Sequence, residues 1–109
     1  MMKLIYMITR KEGMSFEAFQ TYWRETHAPI AAKIPGVRRY VQCHTLPETY
    51  GGKEPPPYDG AAELWFDDMQ AFRDGIASPE CDAARKDELN FIDHSRSILF
   101  FTQEKPIVE

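Results

Sequence analysis

Cysteine is scarce in this chain. Cys43 and Cys81 are the two it has, far apart and without a C-x-x-C spacing, so neither a disulfide nor a thiolate metal site is expected; both read as buried, reduced thiols. His27, His44 and His94 are too dispersed for an H-x-x-x-H or H-E-x-x-H helix, so no metal is expected. There is no G-x-G-x-x-G and no other glycine-rich phosphate loop, which removes the usual cradle of a nucleotide cofactor; Gly51-Gly52 stands among prolines and does not make one. A serine nucleophile elbow is also missing. Basic residues are outnumbered, 13 Lys and Arg against 17 Asp and Glu, for a net charge of −4. Nucleic acid is therefore not an expected partner, since phosphate binding needs a surplus of cations on one face and Arg38-Arg39 is only a pair. No long hydrophobic run occurs. The opening Met1 to Ile8 is too short for a signal peptide or membrane span and ends in the charges of Arg10-Lys11-Glu12. A cytoplasmic protein with no membrane partner is expected.

Aromatic side chains are abundant by contrast: seven Phe, five Tyr and two Trp in 109 residues. They point either to a Phe-rich core or to an aromatic-lined pocket or interface. The length suits one domain, residues 1–109, and a chain of this size buries only about two-thirds of its unfolded surface, so a second subunit would add useful core.

Residues 3–9 read as a first strand with Ile5 and Met7 on one face and Leu4, Tyr6 and Ile8 on the other. Ser15 is placed to cap a helix with Glu17 in its first turn. Phe16, Phe19, Trp23 and His27 then share a stripe. Pro29 disfavours helical geometry at Ala28, which predicts a stop or kink near His27 and a short second piece from Pro29 to Ile34, closed by Pro35-Gly36. Val37 to Leu46 reads as a second strand, with Val41 and Cys43 opposing Tyr40, Gln42 and His44. The stretch Pro47 to Tyr58 holds four prolines and two glycines; it predicts a long loop that serves as a lid or an arm. Residues 60–66 form a third strand, Asp67 or Asp68 caps a helix through Ile76, and Ser78-Pro79-Glu80 starts another that runs to about Ile92. Ser97 to Gln103 is the last strand.

The order strand, broken helix, strand, strand, broken helix, strand predicts an α+β fold: a βαββαβ chain with a four-stranded antiparallel sheet and its helices on one face. An open sheet face normally alternates apolar with polar residues, yet three of these four strands are apolar on both sides. Such a patch is too large to leave in water, and a second copy packed face to face in a twofold dimer is the simplest cover.

His27 is the polar residue that stands out. It lies on the stripe facing the sheet, where a helix end favours imidazolium and an apolar wall favours neutral imidazole. It suits general acid–base work on a small carbonyl or lactone, or else it is a core histidine satisfying a helix carbonyl. Tyr40 and His44 share a strand face and could add a phenol and a second imidazole, or sit exposed at an edge. Asp93-His94 suggests capping or a surface role. Tyr6, Trp23, Trp65 and Phe91 are candidate pocket walls, or plain core.

Met14 to Phe19, the run Tyr22-Trp23-Arg24-Glu25-Thr26-His27-Ala28-Pro29, Pro35 to Tyr40, Glu63 to Phe66 and Asp93 to Phe101 together resemble the EthD family over nearly the whole chain, the proline-rich loop excepted. The resemblance implies a ferredoxin-like fold that dimerises into an α/β barrel, and it implies His27 as the functional histidine. Members are linked to breakdown of fuel ethers and to polyketide tailoring. Related barrels isomerise lactones, oxidise aromatic compounds without a cofactor, or bind haem, and fold sharing does not choose among these. The expectation is a small, cofactor-independent isomerase, lyase or oxygenase acting on a hydrophobic metabolite. His27 would move the proton, Tyr40 would orient the substrate or stabilise an oxyanion, and Tyr6, Trp23, Trp65 and Phe91 would bind the substrate. The alternatives are a non-catalytic hydrophobic-ligand-binding or accessory protein, and a haem protein with His27 as axial ligand.

Overall fold

The computed structural model describes residues 1–50 and 56–109. β1 (Met2–Ile8) leads to α1 (Phe16–Thr21), whose N-cap Ser15 accepts a hydrogen bond from the Ala18 N–H at 3.1 Å. The chain then runs through a π-helical segment (Tyr22–His27) directly into α2 (Ala28–Ala31). β2 (Arg39–His44), a 3-10 turn (Pro47–Tyr50), β3 (Gly60–Phe66), α3 (Met69–Ile76), α4 (Pro79–Glu88), a 3-10 turn (His94–Arg96) and β4 (Ile98–Thr102) follow. Asp68 rather than Asp67 caps α3, and Ser78 caps α4. The four strands are antiparallel in the order β2-β3-β1-β4.

The helix does not stop near His27, although its α-helical bonding is interrupted there by the π-helical segment, and α2 ends at Ala31, short of the expected Ile34. The helix continues, and the Ala28 N–H reaches back to the Trp23 carbonyl, five residues away. A proline cannot donate to the ordinary helical ladder, and a wider turn lets the chain pass it without unwinding. The same turn offsets the rotation that four-residue spacing accumulates at 3.6 residues per turn, so Phe19, Trp23 and His27 all stay buried against the sheet. In the Pro47 to Tyr58 stretch, Pro47–Tyr50 forms a 3-10 turn where only irregular loop was expected. The lid or arm expected of this stretch includes residues 51–55, which lie outside the described residues.

Register fixes which residues share a side. Leu4, Tyr6 and Ile8 of β1 pair with Leu64, Ala62 and Gly60 of β3, and these in turn with Tyr40, Gln42 and His44 of β2. That side carries the helices, and its core joins Leu4, Ile8, Ala62, Leu64 and Phe66 to Phe19, Trp23, Phe91 and Ile92. Each fully buried large side chain there contributes about 1.5–3 kcal/mol. The open side carries Ile5, Met7, Val41, Ile98 and Phe100. It also holds an ion pair between Lys3 and Glu63 at 3.2 Å.

Two expectations are corrected on the open side. Trp65 is buried, but by neighbours on that side: Lys3 Nζ sits 4.7 Å and the Arg39 guanidinium 4.6 Å from its ring centroids, and its Nε1–H donates to Glu104. It pairs with Lys3 across β1–β3 and so points away from the helices. Cys43 is exposed, because β2 is an edge strand and this chain alone leaves its open side uncovered; Cys81 is buried as expected.

Candidate functional site

A cavity of about 370 Å³ lies between the sheet and the helices. Most of its wall is apolar, with Leu4, Ile8, Trp23, Leu64 and Phe66 among the lining residues. Its polar groups are few: His27, Tyr6, Tyr40, Glu88, Arg85 and Ser97. An apolar chamber with a small set of convergent polar groups is the usual form of a small-molecule site.

His27 enters from the π segment and is buried. Its Nδ1 lies 2.8 Å from Asp87 Oδ2, at the end of α4. A carboxylate can only accept, so Nδ1 carries the proton and the lone pair of the neutral ring resides on Nε2. Among the described residues Nε2 has no hydrogen-bond partner. The carbonyl partner that a plain core histidine would take is replaced here by an acid. Phe91 packs against the ring at a tilt of 54°, with centroids 4.8 Å apart. Asp87 is itself held: the Tyr22 hydroxyl donates to its Oδ1 at 2.5 Å and Asn90 Nδ2 at 3.2 Å. Burial alone would raise the Asp87 carboxyl, but the hydrogen bonds from Tyr22, His27 and Asn90 outweigh it and hold it below the ordinary range.

Tyr40 reaches the cavity from β2, its polar atoms ordered by a directional chain. Gln42 Nε2 donates to the Trp23 carbonyl at 3.0 Å, which fixes the amide's orientation because a carbonyl only accepts. The same nitrogen donates to the Tyr40 oxygen at 2.9 Å, and Gln42 Oε1 accepts from His44 Nε2 at 2.9 Å. With its oxygen already accepting from Gln42, Tyr40 keeps its own O–H to give to another oxygen. Burial raises the Tyr40 phenol above its usual value, against the lowering effect of Gln42, so it stays a donor at neutral pH. His44 is neither a free imidazole nor an exposed edge residue: it stacks on Trp23 at 4.5 Å, and burial lowers its tendency to charge.

Tyr6 approaches from β1 and donates to Glu88 Oε1 at 3.3 Å. Burial first, and then the negative charge and hydrogen bond of Glu88, push its phenol far above the usual value. Of the six expected site residues, His27, Tyr40, Tyr6 and Trp23 line the cavity, Phe91 supports His27 from behind, and Trp65 lies on the far side of the sheet.

Asp87, Glu88 and Gln42 are missing from the sequence expectation. A signal for the first two existed: two acids in the last turn of α4 oppose the helix dipole, a placement that costs stability unless the carboxylates are engaged elsewhere. Among the described residues no group of three or more His, Cys, Asp or Glu gathers to hold a metal, and no helix is long and apolar enough to cross a membrane.

The EthD domain family model matches residues 11–95. No curated protein matches the chain. Among solved structures, an ethyl tert-butyl ether d (EthD) family protein from Bacillus halodurans is similar with a TM-score of 0.76 and 25% identity, over 96% of this chain and 99% of that one. A dimeric protein of unknown function and ferredoxin-like fold from Bacteroides fragilis is similar at TM-score 0.67 and 15% identity, over 94% and 95%. SnoaB, a cofactor-independent oxygenase from Streptomyces nogalater, is similar at TM-score 0.67 and 16% identity, over 99% and 97%. With the family model spanning most of its length and a ferredoxin-like arrangement of sheet and helices, this chain belongs to the EthD domain family.

Proposed function

We propose that this protein is a cytoplasmic homodimer that performs acid–base chemistry on a small, mostly apolar carbonyl, lactone or phenolic compound without a nucleotide cofactor. One observation carries the reading: the Asp87-held His27 offers its free Nε2 in the same apolar cavity where Tyr40 keeps a hydroxyl proton to donate. Nε2 takes a proton from the substrate as general base, Asp87 stabilises the imidazolium that forms, and Tyr40 donates to the oxygen on which negative charge gathers. Trp23 supplies a flat wall. The apolar open sheet face, with Ile98 and Phe100 at 50% and 40% exposure, supports burial against a second copy, as does the likeness to a dimeric protein. The likeness to SnoaB is one of fold, and in that protein the fold serves oxygenation without a cofactor.

The test uses nitrobenzisoxazole, a flat apolar probe. Loss of its C–H proton to a base breaks the ring N–O bond and releases a coloured cyanophenolate. Turnover above that of free imidazole, abolished in a folded His27→Ala variant, is the expected result. Binding of the probe with no turnover would favour a ligand-binding or accessory role. A Soret band after haem addition, lost in the same variant, would favour axial ligation by Nε2.

A further inference from the structure

Beside the His27–Asp87 pair, the next residue of α4 makes a second connection that the proposed proton transfer does not use. Glu88 Oε1 accepts from two sides: from the Tyr6 hydroxyl at 3.3 Å, and from His94 Nε2 at 2.9 Å. Tyr6 and Glu88 line the cavity. The His94 side chain, on the 3-10 turn before β4, is 43% exposed, while that of Glu88 is 17% exposed. Three proton-bearing groups from β1, α4 and the 3-10 turn thus form an unbroken line from the cavity wall to solvent.

We propose that Glu88 is a proton carrier that links the cavity to solvent, exchanging with Tyr6 on the inside and His94 on the outside. The proton balance is simple. In uptake, water protonates His94 at Nδ1, the Nε2 proton passes to Glu88 Oε1, and Glu88 gives it to the Tyr6 oxygen as the Tyr6 hydroxyl proton leaves into the cavity; exchange of the exposed imidazole with water then returns its proton from Nδ1 to Nε2, and release runs these steps in reverse. Each group ends as it began. The Tyr6 step is concerted, since burial beside Glu88 disfavours a free tyrosinate. The 3.3 Å contact is long for an O–H···O bond, a common state of catalytic contacts in sites without ligand. The charged and titratable groups around Glu88 are Tyr6 from β1, Tyr40 from β2, His94, and Arg85 on its own helix. The role deepens the acid–base reading of the cavity and rests on it for its use: it suits a reaction that gains or loses a proton overall, not one that only moves a proton within the substrate.

The experiment reads exchange of the Tyr6 hydroxyl proton with water by NMR, on protein carrying carbon-13 at the tyrosine ring carbon that bears oxygen. It needs no substrate, so it can fail while His27 chemistry stands, and the reverse. His94→Ala and Glu88→Gln, each folded by its amide spectrum, are expected to slow Tyr6 exchange at least about tenfold. Tyr40, which is not in the line, keeps its rate. Added imidazole restores exchange in His94→Ala, where it replaces the lost side chain, and does not in Glu88→Gln, whose amide cannot relay a proton. Unchanged exchange in either variant, or the same response of both to imidazole, would overturn the proposal.

Discussion

His27 Nδ1 and Asp87 Oδ2 lie 2.8 Å apart, although 60 residues separate them in the chain. The contact orients a buried imidazole, because it fixes which nitrogen holds the proton. Asp87→Asn keeps the shape but offers an amide N–H that favours the other tautomer, with the lone pair on Nδ1. Probe turnover is expected to fall about 10–100-fold, the cost typical of losing a group that orients a reactive ligand, with the fold retained. Full activity in the variant would show that the orientation is unimportant.

The same carboxylate gives a pH signature. Asp87 is held below the ordinary aspartate range in the folded protein, chiefly against burial and by the bonds from Tyr22, His27 and Asn90. A depressed carboxyl stabilises the fold above the unfolded value of about 4, and that stability is lost as pH falls through the lower, folded value. Urea midpoints measured across the acid range should decline less steeply in Asp87→Asn than in the parent.

Tyr40→Phe removes a hydroxyl whose proton is free for an oxyanion. Loss of one such donor costs on the order of 100-fold in rate where charge develops on oxygen. Probe binding, driven by apolar contact, should change little. A fall in affinity with unchanged turnover would instead make Tyr40 a simple binding wall.

Gly60 faces Trp23 across the inner side of β3. A Cβ there would meet Trp23 Cζ3 at 2.5 Å and the Cys43 carbonyl at 2.7 Å. A buried indole or the β2 backbone must shift to admit it, so Gly60→Ala should destabilise by about 1–3 kcal/mol. Urea denaturation measures it.

Ile5 stands at the centre of the open face, paired with Glu63 on β3 and Phe100 on β4. Ile5→Lys is tolerated in a lone chain beside Glu63 but would bury a charge in a face-to-face dimer. Light scattering should give twice 12.6 kDa for the parent and 12.6 kDa for the variant. A monomeric parent at micromolar concentration removes the dimer.

Much of the scaffold is written locally. Ser15, Ser78 and Pro79 mark helix starts through groups within three residues of them, and two-residue alternation shows that β1, β3 and β4 each have two apolar faces. The W-R-x-x-H-A-P run places His27 on the inward stripe. Alternation does not say which face receives the helices. Trp65 could have been assigned to either, and only the pairing of β3 with β1 beside Lys3 put it on the open side. Asp87, Glu88 and Gln42 acquire their roles from partners brought up by the crossovers, 60 residues away for His27 and 82 for Tyr6. Sequence by itself determined most of the elements, the two apolar faces of the sheet and the place of His27 on the buried stripe, because these follow from periodicity and near-neighbour chemistry. The proton's address on that histidine, and the route past Glu88, were decided by tertiary structure, because hydrogen bonds join atoms close in space whatever their distance along the chain.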